Sequence, residues 1–264
     1  MLFDRFLLSE LLTIEVQGLA IFFHLVFVIA LYRKDYSVID IAWGLGFVVV
    51  SALALTLNRS PDTRSLVVFG LIAIWGFRLG GFLLIRNLKK GTEDPRYASM
   101  RAQWGRWTNV HAYFKIFLTQ PLILLFISFP TSLTMSRSTI PWNALDTIAV
   151  ALALSGWLIE TLADYQMSVF KKDPQNKNKF IRIGLWKWSR HPNYFGEMLF
   201  WWGMGFFALN SVYPWGAFLG AFMISYLLVK VTGAPMLESN YSKRPGFEDY
   251  LKETNAFLPW QCKG

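Results

Sequence analysis

A single cysteine, Cys262, serves the whole chain of 264 residues, which excludes an internal disulfide and any thiol cluster for a metal or redox centre. Histidine is nearly as scarce. His24, His111 and His191 lie far apart with no metal-ligand spacing, and His24 sits in an apolar run, so no metal site is expected. Gly-x-Gly-x-x-Gly, the phosphate-loop pattern and Gly-x-Ser-x-Gly are all missing, so a soluble dinucleotide fold and a serine hydrolase have no footing. Charge is thin as well, at 16% of residues, although the net balance is +9. That excess falls between apolar segments and forms no stripe with interleaved aromatics, which argues for membrane topology and against a nucleic-acid partner.

What remains is apolar. Hydrophobic residues make up 54% of the chain, with 12 Trp and 23 Phe, too greasy for a soluble domain and too long for one span. The fold class expected is an all-α membrane protein with seven transmembrane helices, near residues 14 to 32, 37 to 57, 65 to 85, 112 to 133, 144 to 169, 194 to 211 and 214 to 232. No internal repeat or second domain is visible, so residues 1–264 read as one polytopic membrane domain. Asp4, Arg5 and Glu10 lie in the first ten residues and no small-residue cleavage site follows, so the first apolar run reads as a span and not as a cleaved signal. Twenty of the 26 lysines and arginines fall on one side of this layout; Arg5, Arg59, Arg64 and Arg137 fall on the other, while Arg78 and Lys115 lie within spans. The asymmetry predicts the N-terminus outside and the C-terminus in the cytoplasm, with the loops at about 86 to 111 and 170 to 193 also cytoplasmic.

The densest polar chemistry is Gly184 to Glu197, Gly-Leu-Trp-Lys-Trp-Ser-Arg-His-Pro-Asn-Tyr-Phe-Gly-Glu, at the entrance to the sixth apolar segment. Asn193 and Glu197 enter the membrane one turn apart on one face. An ionisable group there costs about 2.5–3.5 kcal/mol on insertion scales, so it is read as functional by default. Arg190, His191 and Trp188 fit equally well as interface anchors. Other polar residues also sit where lipid-facing ones should not. Asp40 opens the second span ahead of Trp43-Gly44-x-Gly46, whose glycines permit close helix approach, and Arg78 follows Trp75-Gly76-Phe77 in the third. The two can form a buried ion pair, with or without a role at a site. Asp94-Pro95 reads as a helix start, followed by Arg96, Tyr97, Met100, Trp104 and Trp107 at helical spacing, either a surface helix or one along the cytoplasmic interface. Trp157, Glu160, Asp164 and Lys171 share one face of the fifth span.

Arg190-His191-Pro192-Asn193-Tyr194-x-Gly196-Glu197 resembles the hallmark of the steroid 5-alpha-reductase-like membrane proteins, particularly their bacterial members. Their relatives, the sterol reductases and the isoprenylcysteine carboxyl methyltransferases, share the Arg-His-Pro-x-Tyr core, so the core alone does not choose between hydride and methyl transfer. Asn193 and Gly196-Glu197 favour the reductases. Ser37 to Gly46, Trp75 to Tyr97, Trp157 to Lys172 and Leu237 to Pro259 extend the resemblance over most of the chain. The Phe247-Glu248-Asp249-Tyr250 and Phe257-Leu258-Pro259 groups resemble the tail of both branches, but the methyltransferases' double glutamate is absent, since Ser239 follows Glu238.

The resemblance implies an NADPH-dependent oxidoreductase that transfers a hydride to the carbon-carbon double bond of a lipophilic enone, in a multi-pass protein of the bacterial inner membrane. Its partners are then a hydrophobic or lipid substrate and membrane lipids. It assigns cofactor contacts to Arg86, Arg96, Tyr97, Glu160, Asp164, Lys171, Lys179, Arg190, His191, Asn193, Tyr194 and Tyr250, with Glu160 standing where the reductases carry asparagine. The basic residues among them favour NADPH over NADH, because a 2'-phosphate suits guanidinium and ammonium partners. Asp40 and Glu197 are the expected catalytic residues: Asp40 as a neutral carboxyl donating to the substrate carbonyl, Glu197 seating the nicotinamide. The family acid is a glutamate, and its tyrosine partner is replaced around Trp75. An S-adenosylmethionine-dependent membrane methyltransferase is the alternative, and a non-enzymatic lipid-binding or transport role is the third class.

Sidedness is open to a direct check. Single cysteines introduced at Ser60 and at Asn176 should react with an impermeant thiol reagent from opposite faces of the membrane; labelling of both from one face rejects the seven-span layout.

Overall fold

The computed structural model describes residues 2–58, 60–136, 141–211, 214–242 and 244–257. Arg59, Arg137, Lys243 and Lys263, used above to assign sidedness, lie outside these residues, as do the Leu258-Pro259 ending and Cys262. The helices are α1 (Leu2–Arg33), α2 (Val38–Leu57), α3 (Thr63–Lys90), α4 (Pro95–Trp104), α5 (Thr108–Ala112), α6 (Thr119–Ser136), α7 (Ala144–Lys172), α8 (Pro192–Ala208), α9 (Leu219–Tyr226), α10 (Ala234–Tyr241) and α11 (Phe247–Glu253). Single π turns, Tyr113–Phe117 and Leu227–Val231, lead into α6 and out of α9. Among the described residues the only extended pairing is one bridge between Ser189 and Asn255.

Among the described residues, six stretches are long and apolar enough to cross a membrane: Ser9–Arg33, Val38–Leu57, Thr63–Lys90, Pro95–Met135, Ala144–Lys172 and Pro214–Ser239. The chain is therefore an all-helical, multi-pass membrane protein. The segment expected to span at 194 to 211 is α8, whose 17 residues rise about 25 Å, at the lower end of what bridges ~30 Å of hydrocarbon.

The helix ends follow local chemistry. Asp62 caps α3 by accepting from the Ser65 backbone N–H at 2.8 Å, and Gly91 closes it in the left-handed region at φ 65°. Asp94 caps α4 with Pro95 in its first turn, as the Asp-Pro pair predicts. At α7, Asn143 and Asp146 form a reciprocal capping box, and Lys171 and Lys172 lie in the last turn beside the free carbonyls.

The chain divides into two compact units, Met1–Trp142 with Phe207–Leu219 and Asn143–Phe206 with Gly220–Gly264. In the first, α2 packs against α1, α3 and α6. The α2–α3 crossing is closest at Gly44 and Gly76, where a Cβ on Gly76 would stand 2.5 Å from the Gly44 carbonyl oxygen. With little hydrophobic force between helices in lipid, such backbone contact is what holds them together. In the second unit, α7 and α8 cross at Gly156 and Gly196 in the same way, a Cβ on Gly156 falling 2.5 Å from the Gly196 carbonyl.

A methyl group tests the crossing. Alanine improves helix propensity at any interior glycine by about 1 kcal/mol, but overpacking costs about 1–3 kcal/mol. Gly81, with nothing within 4 Å, is the control. Gly76→Ala should lower the melting temperature of the solubilised protein while Gly81→Ala holds or raises it; equal behaviour of the two variants removes the argument.

Candidate functional site

The sequence-predicted site residues gather into two polar clusters, one in each unit, and each is described on its own.

In the first unit the cluster forms where α2 begins and α4 leaves its cap. Asp94 donates its backbone N–H to Ser37 Oγ at 2.7 Å, and its carboxylate accepts from the Arg96 N–H and Nε, both at 3.0 Å. That ties α4 to the head of α2 and delivers two side chains to Asp40. Arg96 Nη2 bonds Asp40 Oδ2 at 2.6 Å, and the Tyr97 hydroxyl donates to Asp40 Oδ1 at 2.7 Å. Arg96 is thus a cation held at Asp40, for which the sequence offered Arg78 as one possible partner. Both Asp40 oxygens are engaged as acceptors, one by a guanidinium and one by a hydroxyl.

A second layer braces this one. Tyr36, fully buried, donates its N–H to Glu93 at 2.8 Å and its hydroxyl to Asn109 at 2.5 Å, while Arg101 lies 4.0 Å over its ring and grips Glu93 through two nitrogens. Burial would raise the Asp35 carboxyl, but hydrogen bonds from Ser37 and Asn87 hold it below the usual range. For Asp94, burial is likewise outweighed by the Arg96 bonds, with the same result. Arg86 stands apart, exposed on α3.

In the second unit the Gly184–Glu197 stretch is anchored along α7. The Leu185 N–H donates to Gln166 Oε1 at 3.0 Å and Trp186 Nε1 donates to the Ala163 carbonyl at 3.0 Å. Gly184 itself has φ 58°, and a Cβ there would meet the Gln166 amide at 2.4 Å. Residues 254–257 then run beside the stretch: Arg190 and His191 donate their N–H groups to the Asn255 and Ala256 carbonyls at 2.8 and 3.2 Å. The Arg190 guanidinium bonds Glu238 at 2.9 Å and the Thr254 carbonyl, and His191 Nε2 lies 3.0 Å from the same Glu238 oxygen. The His191 ring stacks on Tyr194 at 5.4 Å and 10°. Beyond it, Asn193 Nδ2 is 3.4 Å from Asp164 Oδ1, and Glu160, Asp164 and Glu197 are buried near the Gly156–Gly196 crossing.

Beside this motif lies a cavity of about 430 Å³, whose lining includes Lys171, Lys179, Arg190 and Tyr250 from the expected set. Its other walls escaped the sequence reading: Lys177, Phe180, Tyr241 and Arg244. Phe180 stacks on Tyr250 at 4.7 Å and 13°, and Tyr241 meets Phe180 edge-on. Arg190 is neutralised by Glu238, and Arg182, close by in sequence, by Glu253. Among the described residues, Lys177, Lys179 and Arg244 meet no carboxylate. Burial pushes the Tyr250 hydroxyl up to about 12 and raises that of Tyr241, so both are neutral donors at pH 7. Glu238 was also overlooked as a site residue. It lies 48 residues from Arg190 in sequence, and no local pattern joins them.

This arrangement defines a class, a polytopic helical membrane protein carrying polar clusters at the ends of its apolar helices. By comparison with known families, residues 26–254 match a family described as a protein of unknown function, DUF1295, and the chain belongs to that family. It is 25% identical over 263 residues to an uncharacterised protein of Schizosaccharomyces pombe, a match covering 88% of this chain and 74% of that one. A shorter match, 33% identical over 110 residues, links 42% of this chain to 39% of the 3-oxo-5-alpha-steroid 4-dehydrogenase 1 of Rattus norvegicus. No solved structure matches the chain.

His191 yields a pH dependence. Burial, aided by Arg190, lowers its pKa below 6.5 against the opposing pull of Glu238, so the folded protein binds fewer protons there than the unfolded chain. The stability that this contributes is complete above pH 6.5 and drains as pH falls through the lowered folded value. The melting temperature should therefore drop between pH 7 and pH 5, and His191→Gln should flatten that slope; an unchanged slope refutes the assignment.

Proposed function

We propose that this protein is a membrane-embedded NADPH-dependent reductase of the carbon-carbon double bond of a lipophilic enone. The observation that carries the reading is the cavity in the second unit: a stacked aromatic pair, Phe180 and Tyr250, beside three cations, Lys177, Lys179 and Arg244, that pair with no carboxylate among the described residues, Asp173 of the same lining included. Unneutralised cations beside flat rings suit a purine carrying phosphate groups. S-adenosylmethionine has the purine but no phosphate, and its sulfonium is itself positive, so this wall favours it less. The match to a steroid dehydrogenase of the rat supports the same reading. The basic asymmetry of the loops supports placing this cavity on the cytoplasmic side of the membrane.

When bound, NADPH supplies a hydride. The protein's part is to hold it and to polarise the acceptor. Lys177, Lys179 and Arg244 would hold the phosphates; Arg190, fixed by Glu238, Lys171, Asp164, Asn193 and Tyr194 would hold polar parts further along, with Glu197 seating the ring. Negative charge that builds on the substrate carbonyl oxygen needs a hydrogen-bond donor. Asp40 accepts from both its partners, so the donor we assign is the Tyr97 hydroxyl, whose one proton, held by Asp40 in this structure, would turn to the substrate oxygen when substrate binds, leaving Asp40 to Arg96.

Ligand-dependent melting separates the readings. NADPH should stabilise the solubilised protein, S-adenosylmethionine should not, and the Lys177→Ala, Lys179→Ala, Arg244→Ala triple variant should lose the NADPH shift. Stabilisation by S-adenosylmethionine with none by NADPH would select the methyltransferase instead. With a panel of hydrophobic enones, Tyr97→Phe and Asp40→Ala should each slow NADPH oxidation by about a hundredfold. Near-parent turnover in both would leave this cluster with a purely structural role.

A further inference from the structure

The α1–α2–α6 bundle of the first unit holds a carboxyl that the proposed reaction does not use. We infer that Glu15 is a proton-bound, neutral carboxylic acid, an intramembrane proton-binding site open to attack by lipophilic carboxyl reagents. Glu15 lies in the apolar stretch Ser9–Arg33, six residues or about 9 Å of helix beyond Ser9, and is fully buried. The family match begins at residue 26, so Glu15 lies outside it while its partner Ser132 lies within.

The surroundings decide its protonation. One Glu15 oxygen accepts from the Ser132 hydroxyl at 2.6 Å, and the other, Oε2, is buried with no hydrogen-bond partner among the described residues. The neighbouring hydroxyls on α6 face their own helix: Ser128, Thr131 and Thr134 donate to the carbonyls of Leu125, Ser128 and Pro130. Among the described hydroxyls of α6, only that of Ser132 reaches across to α1. Neither flanking helix offers a counter-charge, since α6 carries no charged residue and α2 carries only Asp40, at its opposite end and already held by Arg96. The π turn packed on α1 carries Lys115, which lies over the Trp104 ring, and Glu10, on α1 itself, is exposed and of the same sign. A carboxylate in such a place has neither solvent nor cation, and it takes up a proton instead. No acidic or histidine cluster lies nearby that could make the ligand a metal ion among the described residues. The ligand is the proton.

The chemistry gives a distinctive readout. Dicyclohexylcarbodiimide partitions into membranes and reacts with the protonated carboxyl: the acid proton moves to a carbodiimide nitrogen as the carboxyl oxygen bonds the central carbon. The whole reagent is retained and nothing leaves, so the labelled residue gains the reagent's full mass. At pH 7 a free glutamate in water is protonated about one part in 500, so a proton-bound Glu15 should label on the order of a hundredfold faster than a solvated carboxylate, with the exposed Glu10 of the same helix as the internal comparison. The infrared spectrum of the parent should also show a protonated-carboxyl stretch that is lost in Glu15→Gln and moves to higher frequency in Ser132→Ala, where the hydrogen bond to it is gone. Should Glu15→Gln fail to fold, the Ser132→Ala shift and the parent's labelling ratio still decide. Labelling of Glu15 no faster than that of Glu10, or a parent spectrum with no protonated-carboxyl stretch at pH 7, overturns the inference.

Discussion

A charge carried to the end of an apolar helix must be met by another charge or left for a ligand, and this choice organises the molecule. Arg96 is met by Asp40 and Asp94, Arg101 by Glu93, and Arg190 by Glu238. Each pair sits at a helix end, where water still screens and the desolvation cost is lower than in the bundle. Three of the cations at the cavity wall, Lys177, Lys179 and Arg244, meet no carboxylate among the described residues. The difference separates residues that hold elements together from residues that can hold an anion.

The same constraint explains why the helices approach as closely as they do. Paired charges fix only the ends, and along their apolar lengths the helices have no solvent to escape. Glycines take over there. Gly44 against Gly76 and Gly156 against Gly196 let backbones touch, and the second crossing also brings Glu160 and Asp164 to the level of Asn193 and Glu197. A site built this way is placed by backbone contact before any side chain adopts its rotamer.

How much of this was legible follows from range. The long helices follow from apolar runs, and the Asp94-Pro95 cap from two adjacent residues, because both signals are local. The Gly184–Glu197 stretch declared itself by its density of polar groups. By contrast, the cavity wall joins Lys177 and Phe180 to Arg244 and Tyr250 across some 70 residues, and no periodicity links them. Glu238 was read for what followed it, not for what it pairs with. Asp40 was seen, and Arg78 was open to it as a helix-borne cation in a neighbouring span, but Arg96 arrives through the turn that Asp94 and Ser37 build, which no local pattern announces. Glu15 stood at the edge of the first predicted span, where a carboxylate passes for a boundary.

The stitching of residues 254–256 to Ser189, Arg190 and His191 sets a timetable for biogenesis. Arg190 and its carbonyl partner Thr254 are 64 residues apart, so at ~5–20 residues per second the ribosome needs roughly 3 to 13 s to supply the second after the first. Throughout that interval Arg190 and His191 wait at the mouth of α8 without their tail, and at first without Glu238. The motif therefore stays unfinished after its own residues are made, until residues 254–256 are supplied.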